Sequence, residues 1–164
     1  MTNTPDALAD LLAQEIEAYS QLLQVERDKE QAITAADAAQ LLDVLRREEQ
    51  AAARAAELER RLLHCRDEFA AQAARPAITL REIATLFDPD QATRIESLRT
   101  RLFGLAEEIR KINQTNYLLL KQSIELLDEV ISALLGDGAP CNTYGDTGRI
   151  EHAPAARATL SLKV

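Results

Sequence analysis

The stretch DPDQATRIESLRTRLFGLAEEIRKINQTNYLLLKQSIELLDEVISALL, residues Asp88 to Leu135, repeats apolar side chains in alternating steps of three and four, with no proline after Pro89. Ile95, Leu98, Leu102, Leu105, Ile109, Ile112, Asn116, Leu119, Ser123, Leu126 and Val130 hold the repeat. A period of about 3.5 residues kept this long predicts a helix packed lengthwise against other helices. From Tyr117 a second seam opens beside the first, through Leu120, Ile124, Leu127, Ile131 and Leu134. This end of the helix is therefore apolar over a wider arc than two packing neighbours require, which points to a partner.

Working outward, the other segments repeat the helical theme. Thr4 and Pro5 supply an N-cap and a first-turn proline, after which Leu8, Leu12, Ile16, Tyr19, Leu23 and Ile33 predict a helix over 5–34. Asp37 with Gln40 reads as a capping pair opening a helix over 37–74, halted by Pro76. The join near Ala35 and Ala36 carries neither glycine nor proline. One continuous helix is the alternative there, but it would leave little beside its first half, so a turn is expected. Thr79-Leu80-Arg81-Glu82 is a capping box for a short helix over 80–87 lying on the bundle end, and Asp88-Pro89 opens the longest helix, 89–135. Gly136-Asp137-Gly138 closes it. Residues 136–164, with Pro140, Gly145, Gly148 and Pro154 and no helical period, read as a flexible tail. The expected fold is all-α: an elongated, antiparallel, coiled-coil-like bundle of three long helices and one short one.

Composition narrows the function. The chain has 164 residues, 46% hydrophobic but only 4% aromatic, a usage that fits long Leu- and Ala-packed helices forming one domain over 1–135. A net charge of -8 disfavours general affinity for nucleic acid or anionic lipid, which need clustered cations. The start of the chain lacks the basic and apolar pattern of a secretion signal, and Tyr117–Leu135 is interrupted by Lys121, Glu125, Asp128 and Glu129, so neither export nor membrane insertion is expected. Cys65 and Cys141 read as free thiols.

No catalytic constellation emerges. His64 and Cys65 are adjacent on a helix, so their side chains diverge by about 100° and cannot act as a base and nucleophile pair. The sequence His64-Cys65-Arg66-Asp67 also lacks the Lys-Gly pattern of phosphotransfer bundles, which leaves a surface histidine. Glu-x-x-His pairs of the di-iron bundles do not occur. Gly145-Asp146-Thr147-Gly148 lacks the lysine of a phosphate loop. No enzyme activity, metal or cofactor is expected.

Two local patterns carry a resemblance. Ile112-Asn113-Gln114-Thr115-Asn116, followed by Leu118-Leu119-Leu120 and Ile124-Glu125, resembles the Asn-x-x-Asn signature of the FlgN-type flagellar export chaperones. Thr143-Tyr144-Gly145-Asp146-Thr147-Gly148 resembles that family's Tyr-Gly-x-x-Gly tail motif, and the first helix, with Glu15, Tyr19, Leu22, Leu23, Lys29 and Ile33, is similar to its first helix. The resemblance implies a cytoplasmic chaperone that binds the hook-associated proteins of the hook-filament junction and brings them to the type III export apparatus. The widened face then becomes the cargo site: Asn113, Tyr117, Leu120, Ile124, Leu127, Ile131 and Leu134. Asn116 is read as a seam residue that fixes register. Tyr144, with Gly145 and Gly148, would dock on the cytoplasmic domain of the export gate. The competing reading is a homodimeric coiled-coil scaffold closed through the same face.

Overall fold

A computed structural model describes residues 4–135 of the chain. The readings made on the tail, including Cys141, Tyr144, Gly145, Gly148 and the flexibility of 136–164, lie outside the described residues. Four helices and no strand occur among them: α1 Pro5–Thr34, α2 Ala38–Gln72, α3 Leu80–Ala84 and α4 Pro89–Leu135. The fold is an all-α bundle with three long helices. The chain divides into two compact units, 1–119 and 120–164, with the boundary inside α4.

The helix ends follow the local chemistry of the sequence. Thr4 caps α1 by accepting from the Ala7 amide at 3.2 Å, and Asp37 caps α2 by accepting from Gln40 at 2.9 Å. Thr79 and Glu82 complete a reciprocal capping box, with the Thr79 amide donating to Glu82 Oε2 at 2.8 Å. Asp88 Oδ1 accepts from the amides of Asp90 and Gln91 at 3.1 and 3.0 Å. The helix stops are less ordinary. Ala36 and Ala74 both adopt left-handed backbone, φ 52° and 53°. In each case the next amide reaches back to close a Schellman loop, Asp37 to the Ala32 carbonyl at 3.0 Å and Arg75 to the Ala70 carbonyl at 2.9 Å. The join near Ala35 is therefore a tight hairpin. The same device ends α2 at Gln72, ahead of the expected stop at Pro76. α3 also closes early, at Ala84, where the Thr85 and Leu86 amides turn to the carbonyls of Glu82 and Ile83.

In the first unit α1 and α2 run antiparallel, tied by Arg47 to Asp28 at 2.7 Å and by Arg54 to Gln21 at 3.2 Å. α4 runs parallel to α1: Arg94 meets Asp6 at 3.3 Å and Arg27 meets Glu108 at 3.5 Å. α1 is thereby flanked on two sides. Leu8 and Leu12 of α1, Leu58, Leu62 and Phe69 of α2, Ile78, Ile83 of α3 and Ile95 of α4 form one buried cluster. Phe87 closes its end by an edge-on contact with Phe69, ring centroids 5.7 Å apart. The first seam of α4 enters this interior through Ile95, Ile109 and Asn116, with Leu98, Leu102, Leu105 and Ile112 half-buried.

One buried group sits awkwardly in this core. Glu15 is 2% exposed, and its Oε2 has no hydrogen-bond partner. Burial, aided by the charge of Glu59, raises its pKa from 4.5 to about 7. The neutral acid is therefore favoured in the folded protein, so its folded pKa lies above the unfolded one. Stability is greatest below the unfolded pKa near 4.5 and is lost as pH rises through about 7. The shift corresponds to roughly 3 kcal/mol. Glu15→Gln is expected to flatten the decline in denaturant midpoint between pH 4.5 and 7.5 and to raise stability at the upper end. Parallel urea titrations of variant and parent check this; an unchanged slope with pH overturns the assignment.

Candidate functional site

Charged residues at heptad positions build the centre of the first unit. Along α1 the steps Leu8, Leu12, Glu15, Tyr19, Leu22, Glu26, Lys29 and Ile33 alternate four and three, so Glu26 and Lys29 occupy places a leucine would normally fill. Both are buried, and so is Asn116 of α4, at 1% exposure. Lys29 Nζ lies 2.7 Å from Glu26 Oε2 and 2.8 Å from Glu48 Oε2 of α2. Asn116 Nδ2 donates at 3.0 Å to the Glu26 backbone carbonyl and at 3.0 Å to its carboxylate. Three helices meet on one ammonium group and one carboxylate.

Asn113 joins the same cluster from the turn before. With its amide nitrogen toward Glu26 it donates to the two carboxylate oxygens at 2.8 and 3.0 Å. The opposite orientation would set a carbonyl oxygen against a carboxylate at those distances and gain only a 3.4 Å bond from Lys29. The charges select the first. Both asparagines of the Asn-x-x-Asn pattern therefore grip one acidic residue of α1. Burial pushes the Glu26 carboxyl above its usual range, and the bonds from Lys29 and Asn116 pull against that shift. The Asn116 Oδ1 atom has no donor, a loss of hydrogen bonding that a leucine at this place would avoid.

Such a cluster selects register more than it adds stability, because charges removed from water are only repaid when every partner is in place. Sliding any of the three helices by a turn would bury unpaired charge. Asn116 is legible in the sequence as a seam residue, and the structure buries it there, but Glu26 and Glu48 are not legible as members of its cluster. The signal was present in α1, where charge interrupts the heptads at Glu15, Glu26 and Lys29.

Along α4 the remaining candidates behave differently. In the first unit Tyr117 is exposed. In the second, Leu120 is half-buried, whereas Ile124, Leu127, Ile131 and Leu134 are all exposed. Leu126 and Val130, expected to continue the packed first seam, are exposed as well. Lys121 and Glu125 pair at 3.8 Å beside them. His64 is a surface side chain 3.4 Å from Glu68, and burial pushes the Cys65 thiol above its ordinary pKa, away from an activated thiolate. Among the described residues no three His, Cys, Asp or Glu side chains gather as metal ligands, and no helix is long and apolar enough to cross a membrane.

The fold and its central lock define a three-long-helix bundle protein. The model of the family described as FlgN protein matches residues 1–152, and the chain belongs to that family. It is in that general sense a flagellar export chaperone. No match was found among the curated proteins, nor among the solved structures.

The lock makes a direct prediction. Lys29→Met leaves Glu26 and Glu48 facing each other without a cation and is expected to lower stability by about 3 to 5 kcal/mol. Asn116→Ala removes two donors from Glu26 and should lower it by about 1 to 3 kcal/mol. Chemical denaturation measures both; a Lys29→Met loss below that of Asn116→Ala would show that the ammonium is not the keystone.

Proposed function

We propose that the chain binds hook-associated proteins of the flagellar hook-filament junction in the cytoplasm, keeps them from assembling early and delivers them to the export apparatus. The observation that carries this reading is the apolar row on the last part of α4, where Ile124, Leu127 and Leu134 are 56%, 60% and 79% exposed. A helix end that leaves so much Leu and Ile in water gains by being covered, and an amphipathic cargo helix laid along it would do so. Asn113, Tyr117, Leu120 and Ile131 share the heptad of that row and complete the proposed cargo site. Asn113 opens it, with its amide already held by Glu26.

Replacing Ile124, Leu127 and Leu134 together by Ser is expected to weaken cargo binding by about a hundredfold or more, since each buried Leu or Ile contributes roughly 1.5 to 3 kcal/mol. The melting temperature should hardly move, because these side chains are already in water. Calorimetry against a hook-associated protein, with a thermal melt alongside, checks both. Light scattering supplies the other arm: a dimer closed through this face that persists with cargo present would favour a homodimeric scaffold.

Delivery is assigned to Tyr144 with Gly145 and Gly148. A tyrosine followed directly by glycine offers a ring for a pocket and a hydroxyl for a hydrogen bond. Tyr144→Ala is expected to keep helix content and cargo affinity while reducing binding to the cytoplasmic domain of the export gate and secretion of the cargo. Equal gate affinity in variant and parent removes the docking role.

A further inference from the structure

The bundle carries a concave surface that the cargo reading leaves unused. Between α3 and the first turns of α4 lies a groove of about 740 Å³. Ala84 and Ala92 line it together with Thr85, Thr93 and Thr100. Each threonine hydroxyl donates back to a carbonyl of its own segment, Thr85 to Glu82 at 2.6 Å, Thr93 to Pro89 at 2.8 Å and Thr100 to Glu96 at 2.9 Å. Each hydroxyl is thus already engaged as a donor within its own segment. Along α4 the trough extends from Ala92 to Arg101, about 14 Å at ~1.5 Å per residue.

Its charge is unlike that of the chain as a whole. Glu96 is held on both oxygens by Arg99, at 2.8 and 2.6 Å, so that pair is neutral. Nearby Arg75 is matched by Glu82 and Arg94 by Asp6. Arg81 and Arg101, which flank the groove, have no carboxylate within ion-pair distance among the described residues. Both line the groove, and Arg81 is close enough to act electrostatically on Glu96. In a protein of net charge -8 this is a locally cationic place joined to an apolar trough.

We propose that this groove is a second docking surface, which takes an acidic amphipathic segment of a partner protein, its small apolar side chains in the trough and its carboxylates on Arg81 and Arg101. A guanidinium group suits a carboxylate because it offers two parallel donors. The apolar floor suits a helical peptide better than a nucleic-acid backbone.

The test uses the full chain and two fluorescein-labelled helical peptides of the same Ala/Leu pattern, one with Glu at two positions four apart and one with Gln in their place. Fluorescence anisotropy is expected to show the Glu peptide binding about tenfold more tightly than the Gln peptide. Arg81→Glu with Arg101→Glu should abolish that preference. Thr100→Leu should weaken both peptides by filling the groove that Thr100 lines, so it remains informative if the charge reversal perturbs folding. Equal binding of the two peptides by the parent overturns the proposal. So does binding that survives both variants and is lost instead with Ile124, Leu127 and Leu134 changed to Ser, or a preference for a single-stranded oligonucleotide over the Glu peptide. A dimer of the parent that the charge reversal dissociates would assign the groove to a second copy and overturn it as well.

Discussion

Everything in the first unit is arranged around one ammonium group that has been taken out of water. Lys29 lies between a carboxylate of its own helix and one from α2, and from α4 the amides of Asn113 and Asn116 donate to the first of these, Glu26. Desolvating a Lys and two Glu side chains is unfavourable by several kcal/mol per charge unless each is met at short range. Leu-and-Ala helices pack on each other in many near-equivalent ways, because one apolar seam is much like another. The cluster narrows that freedom, because sliding a helix by a turn parts Lys29 from Glu48 or Asn116 from Glu26.

That constraint also explains where the fold was legible. The heptads of α4, the caps at Thr4, Asp37, Thr79 and Asp88, and the short helix after Pro76 follow from spacing and local hydrogen bonding, and the sequence carries both. The turn near Ala35 follows from geometry, but its left-handed form and the stop of α2 at Gln72 are hidden, because alanine, not glycine, takes the left-handed position at Ala36 and Ala74. Tertiary closure of the loop overrides the preference of an L-residue at those places. Likewise, Asn116 is recognisable as a polar seam residue, but its partner Glu26 can be named only once α1 and α4 are known to run parallel. Asn113 is the clearest case of a position with two neighbours. Its heptad places it with the exposed row, and its amide is drawn to Glu26 by charge.

The membership of the chain in the FlgN family sets the two parts of α4 in relation to function without merging them. Up to Leu119 the helix contributes to a core, where polar residues specify register. From Leu120 it belongs to another unit, in which Ile124, Leu126, Leu127, Val130, Ile131 and Leu134 are exposed. A helix this apolar could not stay uncovered at high concentration without risk of association. Under the proposed function that tension is resolved when cargo covers the row.

The lock has a consequence for the order in which the molecule can be made. Glu26, Lys29 and Glu48 all leave the ribosome with the first hairpin, whereas Asn113 and Asn116 follow only after α2, α3 and half of α4 have been synthesised. A nascent α1–α2 pair therefore holds a lysine and two carboxylates on a face still open to water, where their charges remain hydrated. The asparagine amides reach Glu26 only once α4 has emerged, so completion of the cluster follows synthesis of the helix that carries the exposed row.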